Sequence, residues 1–367
     1  MPPRSVLAAL LVAGCLLPNP AYDRAAGESA SDGATGPPTT DAVDPTAGSS
    51  LSGPAGTSDV LTDGVTGTTT IASDPDATTT ASSDPDATTD APPPPGPILC
   101  GAPFDLARLQ PAVPVSELNS GSYELDMWLT ADGLTIYFSS GRDSPPGDTY
   151  RATRPAVGLP FGPVTSNTDL NLNTGDGEFK LALTADGLRA ALSVAGAEAR
   201  IYAADRPAAF APFGPRTLIP LQFPGATGFV DPHLTGDGAR LYAAALVGGT
   251  QDLAGWHLRA ADPVALDPDP FAEINALPAR VADPSLSSDE LLVVFLYHPD
   301  GQPDADLWYA TRDAPDGVFT AAAPFAPLNT GDDDVSPHLS ADGCEIFFAR
   351  GPTTEYVLDI HRAAIAP

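Results

Sequence analysis

Short apolar runs separated by a recurring polar turn organise the chain from residue 99 onward. Each turn reads Ser/Thr-x-Asp-Gly or a close variant, follows a run that ends in Leu, and precedes a second apolar run such as 134–139. The aspartates of successive turns are 54, 51, 52 and 53 residues apart, and they are Asp132, Asp186, Asp237, Asp289 and Asp342. Five copies of one structural unit therefore account for nearly all of residues 101–367.

Each copy has the pattern of several short β-strands. Its apolar residues alternate or form short blocks, without helical periodicity, and a third run such as 306–312 follows the other two. This pattern predicts three or four strands per copy. In the turn we expect Gly to adopt a positive φ, and the Asp carboxylate to accept hydrogen bonds from the turn's own amides. The sequence thus predicts an all-β fold, a five-bladed β-propeller.

The repeat also resembles a known one. The pattern Asp-Pro-x-Leu-Ser-x-Asp-Gly, with Asp-Leu-Trp-Tyr-Ala-Thr-Arg at 306–312, resembles the WD40-like PD40 repeat of the TolB propeller and of many exported bacterial proteins. The second copy departs from it with Lys180 where others have Asp, and the fourth has Glu290 in place of the turn Gly. TolB-type propellers have six blades, so the resemblance leaves a six-bladed alternative, with a degenerate copy near 101–125.

The first fifteen residues have the pattern of an export signal. An apolar run, 6–12, ends in small residues before Cys15, which predicts a signal peptide over 1–15. The stretch Val12-Ala13-Gly14-Cys15 resembles the lipobox of bacterial lipoproteins, which implies that Cys15 is lipidated. Because the next residue is not Asp, the resemblance implies an outer-membrane anchor, on its periplasmic side or at the cell surface. An ordinary signal peptide with a chance cysteine is the alternative.

The composition of residues 16–98 predicts a disordered tether. This segment is rich in Thr, Ser, Pro and Asp, and cannot bury enough apolar surface to offset its chain entropy. The propeller then occupies 99–367. The formal net charge is −30 and Lys180 is the only lysine. Nucleic-acid binding is therefore excluded, membrane contact is expected through the lipid anchor only, and we expect a monomer.

Two cysteines form a candidate disulfide. If Cys15 is lipidated, Cys100 and Cys344 are left in an oxidising compartment, near the two ends of the folded region. A bond between them would join those ends. The alternative is that Cys344, at a repeat position held elsewhere by Leu or Ala, is a small core residue.

Six further residues are candidates for lining the central channel, since the innermost strands of a propeller converge there. They are Asp126, Asp231, Asp283, Trp128, His233 and His338. The aspartates could form a convergent acid, base or cation site, as in five-bladed glycoside hydrolases. We favour the interpretation that they satisfy backbone amides in each blade. The two histidines lack a third metal ligand, so no metal or other cofactor is predicted.

The motifs of nucleophilic and phosphate-binding enzymes are absent from the sequence. The sequence therefore favours a binding or scaffold module for an envelope protein or a polysaccharide over an enzyme. One alternative is a glycan-active hydrolase or lyase that uses Asp126, Asp231 and Asp283. A second is a TolB-like accessory of an envelope complex.

Overall fold

The computed structural model describes residues 96–143, 147–166, 177–195, 198–258, 262–354 and 357–367. All of them lie in one compact unit. The predicted signal peptide, the lipidated Cys15 and the tether up to residue 95 lie outside the described residues, so these stay predictions.

A short N-terminal hairpin precedes the blades. It pairs β1 (Ile98–Leu99) with β2 (Ala102–Pro103), and a 3-10 turn (Leu106–Arg108) leads from it to β3 (Val113–Pro114). Arg108 holds this segment together, because its guanidinium donates to the carbonyl oxygens of Leu99, Ala102 and Pro103.

Five four-stranded antiparallel sheets follow, and each is one blade. Blade 1 contains β4 (Glu124–Leu129), β5 (Thr135–Ser140), β6 (Asp148–Thr153) and β7 (Thr165–Ser166). Blade 2 contains β8 (Glu178–Leu183), β9 (Arg189–Val194), β10 (Arg200–Asp205) and β11 (Thr217–Leu218). Blade 3 contains β12 (Ala226–Leu234), β13 (Arg240–Val247), β14 (Thr250–His257) and β15 (Val264–Ala265).

After the short helix α1 (Ala272–Asn275), blade 4 contains β16 (Ala279–Leu286), β17 (Leu292–Pro299), β18 (Asp306–Thr311) and β19 (Thr320–Pro324). Blade 5 contains β20 (Asp333–Leu339), β21 (Glu345–Gly351) and β22 (Asp359–Ala364), with β3 as its outermost strand. The innermost strands β4, β8, β12, β16 and β20 contact one another in a closed circle. The predicted five-bladed, all-β propeller is confirmed.

The six-bladed alternative is wrong, and β3 shows why. Residues 101–125 do not hold a degenerate sixth copy, because β3 pairs with β22 through His361–Pro114 and Arg362–Val113. The N-terminal segment thus supplies the fourth strand of the last blade and closes the ring between the first and last copies.

The polar turn has the predicted geometry. In blade 1, Asp132 Oδ1 accepts from Leu134 N at 2.9 Å and from Thr130 Oγ1 at 2.6 Å. The same two hydrogen bonds recur in the other four turns. The turn glycines have φ between 65° and 70°, a region that L-residues with side chains avoid. The turn is therefore held by local chemistry repeated in each blade.

Glu290 adopts the same left-handed conformation, with a φ of 59°. Its carboxylate accepts from Tyr242 Oη at 2.6 Å and from Arg240 Nη1 at 3.0 Å, and it lies 3.4 Å from Arg312 Nη2. These contacts join blades 3 and 4 and offset the backbone cost of a side chain in this region. They also give a physical reason for the departure from Gly in the fourth copy.

The ends of the folded region meet at the turns of blades 4 and 5. Cys100 and Cys344 are joined by a disulfide, and Cys100 N donates to the carbonyl oxygen of Asp342 at 3.0 Å. Ile98 N donates to Asp289 Oδ2 at 3.0 Å. The disulfide therefore ties the N-terminal hairpin to the ring independently of the β3–β22 pairing.

Candidate functional site

One side chain from each innermost strand points into the channel, at the position six residues before the turn aspartate. The five residues are Asp126, Lys180, Asp231, Asp283 and Ser336, and their φ angles are 58°, 27°, 57°, 51° and 51°. We call them the channel cluster. Each lies at a break in the pairing register of its strand. A bulge re-aims a side chain at a local backbone cost, and here the same device is used in all five blades.

The channel cluster is linked by contacts between blades. Lys180 Nζ donates to Asp283 Oδ1 at 3.1 Å. The hydroxyl of Ser336 lies 3.2 Å from Asp126 Oδ1 and 3.3 Å from Asp283 Oδ2, and donates its proton to one of them at a time. One carboxylate oxygen each of Asp126, Asp231 and Asp283 lies within 4.8 Å of the others. No member of the cluster is more than 7% exposed.

Burial and mutual repulsion change the protonation of the carboxylates. Burial, with the nearby charge of Asp283, raises the pKa of Asp126 to about 7. The same causes raise the pKa of Asp231 well above its ordinary value. Burial by itself lowers the pKa of Lys180, but attraction to Asp283 and to the other two carboxylates outweighs it and raises that pKa overall. Lys180 therefore stays protonated, and Asp126 and Asp231 are partly protonated and share the negative charge.

The structure matches neither expectation for the three aspartates in full. Asp126 and Asp283 hydrogen-bond across the channel to Ser336 and Lys180, rather than to the amides of their own blades as the favoured interpretation required. The aspartates do converge, as a catalytic site would require. One oxygen of each lies within 4.8 Å of the others, however, and Lys180 and Ser336 bridge them. Side chains therefore fill the gap of roughly 5–9.5 Å in which a glycoside hydrolase holds its substrate between two carboxylates.

Three aromatic rings lie two residues after the channel-cluster residues of their strands, on the side of the turns. The ring of Trp128 packs against that of His338 at a centroid distance of 4.7 Å and against that of His233 at 5.3 Å. We call these three residues the aromatic floor. Since the three follow cluster positions in β4, β12 and β20, the floor separates the channel cluster from the face of the propeller that carries the turns.

Both histidines of the floor bond to the neighbouring blade. His338 Nε2 accepts from Leu129 N at 2.9 Å, and His233 Nδ1 accepts from Leu286 N at 3.4 Å. Burial lowers the pKa of His233 to about 3 and that of His338 well below its usual range, so both rings are neutral at pH 7. The accepting nitrogen carries no proton, so each neutral ring has its N–H on the other nitrogen.

Neither histidine belongs to a metal site in the part of the chain that the structure describes. The one group of three or more potential ligands found there is that of Asp126, Asp231 and Asp283. The histidines instead act as acceptors between blades. Among the described residues, neither remaining imidazole N–H has a hydrogen-bond partner, and both rings line a cavity.

That cavity has a volume of about 350 Å³ and lies at the mouth of the channel, on the turn face. The aromatic floor forms its base, and its rim is formed by the second residue of the turn in all five blades. These rim residues are Ala131, Ala185, Gly236, Ser288 and Ala341. They are all small, which keeps the mouth open. We call this space the mouth cavity.

Sequence reasoning missed three contributors to the site. Lys180 and Ser336 occupy the cluster position, but only the aspartates at that position were predicted to line the channel. The third is Arg280, whose charge interacts with those of Asp283 and Asp231. Burial lowers the pKa of Arg280 to about 10, and the attraction to these two carboxylates partly opposes that change. Its Nε and Nη2 atoms are buried without hydrogen-bond partners. The signal for Lys180 was present, since it stands where other copies have Asp.

The fold and the site define a five-bladed β-propeller with a polar channel and a cavity at its mouth. No family model matches the sequence, and no curated protein matches it. Solved structures with a similar fold include TolB from Acinetobacter baumannii, which is 13% identical with a TM-score of 0.39 over 66% of this chain. This chain covers 54% of that TolB, about half of its length.

Two further similar structures are a TolB candidate from Agrobacterium tumefaciens and a family 117 glycoside hydrolase from the marine bacterium Zobellia galactanivorans. The first is 16% identical with a TM-score of 0.40, over 67% of this chain and 78% of that one. The second is 12% identical with a TM-score of 0.41, over 68% of this chain and 86% of that one. All three TM-scores are below 0.5, so these similarities carry no argument about function.

Within the described ranges, no helix is long and apolar enough to cross a bilayer.

Proposed function

We propose that this propeller is a glycan-binding module, and that the mouth cavity receives one end or one ring of the glycan. The observation that carries the proposal is the aromatic floor. It presents the indole of Trp128 beside two neutral imidazoles whose second N–H groups have no described partner. A sugar ring offers an apolar face of C–H groups and several hydroxyl oxygens, so it complements a flat ring next to fixed donors.

The dimensions of the cavity also favour a glycan over a folded protein partner. A volume of about 350 Å³ is within the range of small-ligand pockets, roughly 300–1,000 Å³. A specific protein interface instead buries about 800 Å² on each partner, usually over a flatter surface. The hydrolase or lyase alternative is not favoured, because the carboxylates it needs are buried behind the aromatic floor. The TolB-like accessory role depends on the repeat resemblance alone.

The proposal includes the location of the protein in the cell. The lipidated Cys15 would hold the chain at the outer membrane, and residues 16–98 would let the propeller reach glycans away from the membrane. Replacement of Cys15 by Ser is expected to move the protein from the membrane fraction to the soluble fraction of the producing cells. If the variant stays in the membrane fraction, the lipid anchor is contradicted, but the proposed binding site is not tested by that result.

Glycan binding is tested by an array of bacterial envelope glycans, including peptidoglycan fragments, lipopolysaccharide core oligosaccharides and capsular fragments. Ala131→Trp places a large ring on the exposed rim, so the fold should be kept and the cavity blocked. Ala208→Trp makes the same change at an exposed alanine outside the cavity and is the matched control.

We expect the wild type and Ala208→Trp to bind the same glycans, and Ala131→Trp to lose at least tenfold in affinity. If the wild type binds no glycan, the proposed function is wrong. If Ala131→Trp binds as the wild type does, the glycan lies elsewhere on the propeller.

A further inference from the structure

We infer that the channel cluster is a calcium site, with Asp126, Asp231 and Asp283 as its carboxylate ligands. This site is distinct from the mouth cavity and does not depend on the proposed glycan. Its oxygens belong to three blades, so an ion there would join blades 1, 3 and 4 across the axis.

The spacing of the oxygens fits this ion. Calcium is bound by oxygen ligands at roughly 2.3–2.6 Å, and two oxygens that share one ion at about 2.4 Å are at most about 4.8 Å apart. One carboxylate oxygen from each of the three aspartates lies within 4.8 Å of the other two. A point equidistant from three oxygens spaced this way lies at most about 2.8 Å from each, so side-chain shifts of a few tenths of an ångström bring all three to the calcium–oxygen distance without movement of the strands. Calcium also tolerates irregular geometry better than magnesium does, and these carboxylates come from separate blades.

An unpaired oxygen is the second observation. Asp126 is 3% exposed, its Oδ1 is bonded to Ser336, and its Oδ2 is buried with no hydrogen-bond partner. A buried carboxylate oxygen without a partner is costly, and each such group in a folded protein needs an explanation. A cation bound by Oδ2 supplies the missing partner.

Charge is the third observation. The cluster holds three carboxylates and one ammonium group, so its formal charge is −2 when all four are ionised. Without an ion, protons held by Asp126 and Asp231 reduce this charge. One divalent cation would replace those protons and bring the fully ionised sum to zero inside the channel, where uncompensated charge is unfavourable. Lys180 is bonded to Oδ1 of Asp283, and the Ser336 hydroxyl lies near Asp283 Oδ2 and Asp126 Oδ1, which leaves Asp126 Oδ2 free for an ion. The presence of the ammonium group also means that binding is weak, on the order of 0.1–1 mM, as in extracellular calcium modules.

The test uses the purified full chain, freed of metal with a chelator, and terbium as a luminescent calcium probe. Trp128 lies two residues from Asp126 on the same strand, so its indole can transfer energy to a terbium ion in the cluster. We expect saturable terbium emission on excitation of tryptophan, which calcium displaces. Calcium should also raise the thermal unfolding midpoint of the wild type.

Four variants locate the ion. Asp231→Asn should weaken terbium binding at least tenfold, and Lys180→Met should strengthen it, because repulsion by the ammonium group is gone. Trp128→Phe should lose most of the sensitised emission but keep the calcium-dependent rise in the unfolding midpoint. Asp132→Asn, which changes an exposed turn carboxylate of the same blade, is the matched control and should bind as the wild type does.

The inference is overturned if the wild type shows neither saturable emission nor a calcium-dependent midpoint at 10 mM calcium. It is also overturned if Asp132→Asn loses binding while Asp231→Asn keeps it. Since the wild-type measurements need no mutation, a variant that fails to fold does not prevent the decision. Glycan binding by the array is a separate readout, so failure of one proposal is distinguishable from failure of the other.

Discussion

Replacement of Lys180 by Met should destabilise the propeller strongly at neutral pH and less in acid. Lys180 is 2% exposed, and its Nζ lies 3.1 Å from Asp283 Oδ1. With an effective dielectric constant of 20, a pair of unit charges at this distance is worth about 5 kcal/mol. Methionine has a similar length and no charge, so it fills the space and leaves the carboxylate unpaired.

The loss has an upper limit, because an unpaired carboxylate can take up a proton. An aspartate in the unfolded chain has a pKa near 3.9. Keeping one carboxyl group protonated in the folded variant therefore costs about 4 kcal/mol at pH 7 and about 1.5 kcal/mol at pH 5. We therefore expect Lys180→Met to lower the free energy of unfolding by about 4 kcal/mol at pH 7, in the range known for broken buried ion pairs. At pH 5 the loss should fall to about 1.5 kcal/mol.

The assay is urea-induced unfolding, followed by circular dichroism at both pH values and with a chelator present. Arg189→Met is the matched control, since it breaks the exposed pair with Asp205 in the same blade and should cost less than about 1 kcal/mol. The double variant Lys180→Met/Asp283→Asn should recover part of the loss. Equal losses at pH 7 and pH 5, or a loss no larger than that of the control, would refute the charge argument.

Three further predictions concern the disulfide, the floor and the fourth turn. Cys344→Ser should keep the fold but lower the urea midpoint, because loss of the disulfide costs at most about 5 kcal/mol of unfolding free energy through loop entropy. A wild-type midpoint that does not change with reductant would contradict this. Because the folded-state pKa of His338 lies below 6.5, the unfolded chain binds more protons as pH falls below 6.5, and stability is lost. His338→Gln keeps an acceptor for Leu129 N but cannot titrate, so its stability profile between pH 6.5 and 5 should be shallower by up to about 1.4 kcal/mol per pH unit; parallel profiles would contradict the assignment. Glu290→Gly removes backbone strain of about 1 kcal/mol but breaks the bonds to a tyrosine and two arginines, so we expect net destabilisation by denaturation; a gain in stability would show that those contacts are weak.

The local parts of this fold could be predicted from the sequence. The Asp132 turn and its four copies depend on hydrogen bonds between residues two to five apart, so a short motif carries the whole geometry. The repeat spacing then predicted the blades. Closure could not be located in the same way, because β3 is two residues long and pairs with a strand almost 250 residues later.

The site was predictable in outline only. Asp126, Asp231 and Asp283 were placed in the channel by their repeat position, and they do meet there. Their partners were not predicted, because hydrogen bonds between blades depend on how a bulge turns each side chain. The role of His338 as acceptor for the amide of Leu129 likewise joins the last blade to the first, a contact that repeat spacing does not reveal.

Glycan binding in the mouth cavity is tested most directly by hydrogen–deuterium exchange of the full chain, with and without a glycan found on the array. Binding in the mouth cavity predicts slower exchange at the five turns, which are 130–133, 184–187, 235–238, 287–290 and 340–343, and unchanged exchange in the outermost strands. Protection confined to the opposite end of the channel, or to the blade edges, would contradict the proposed site.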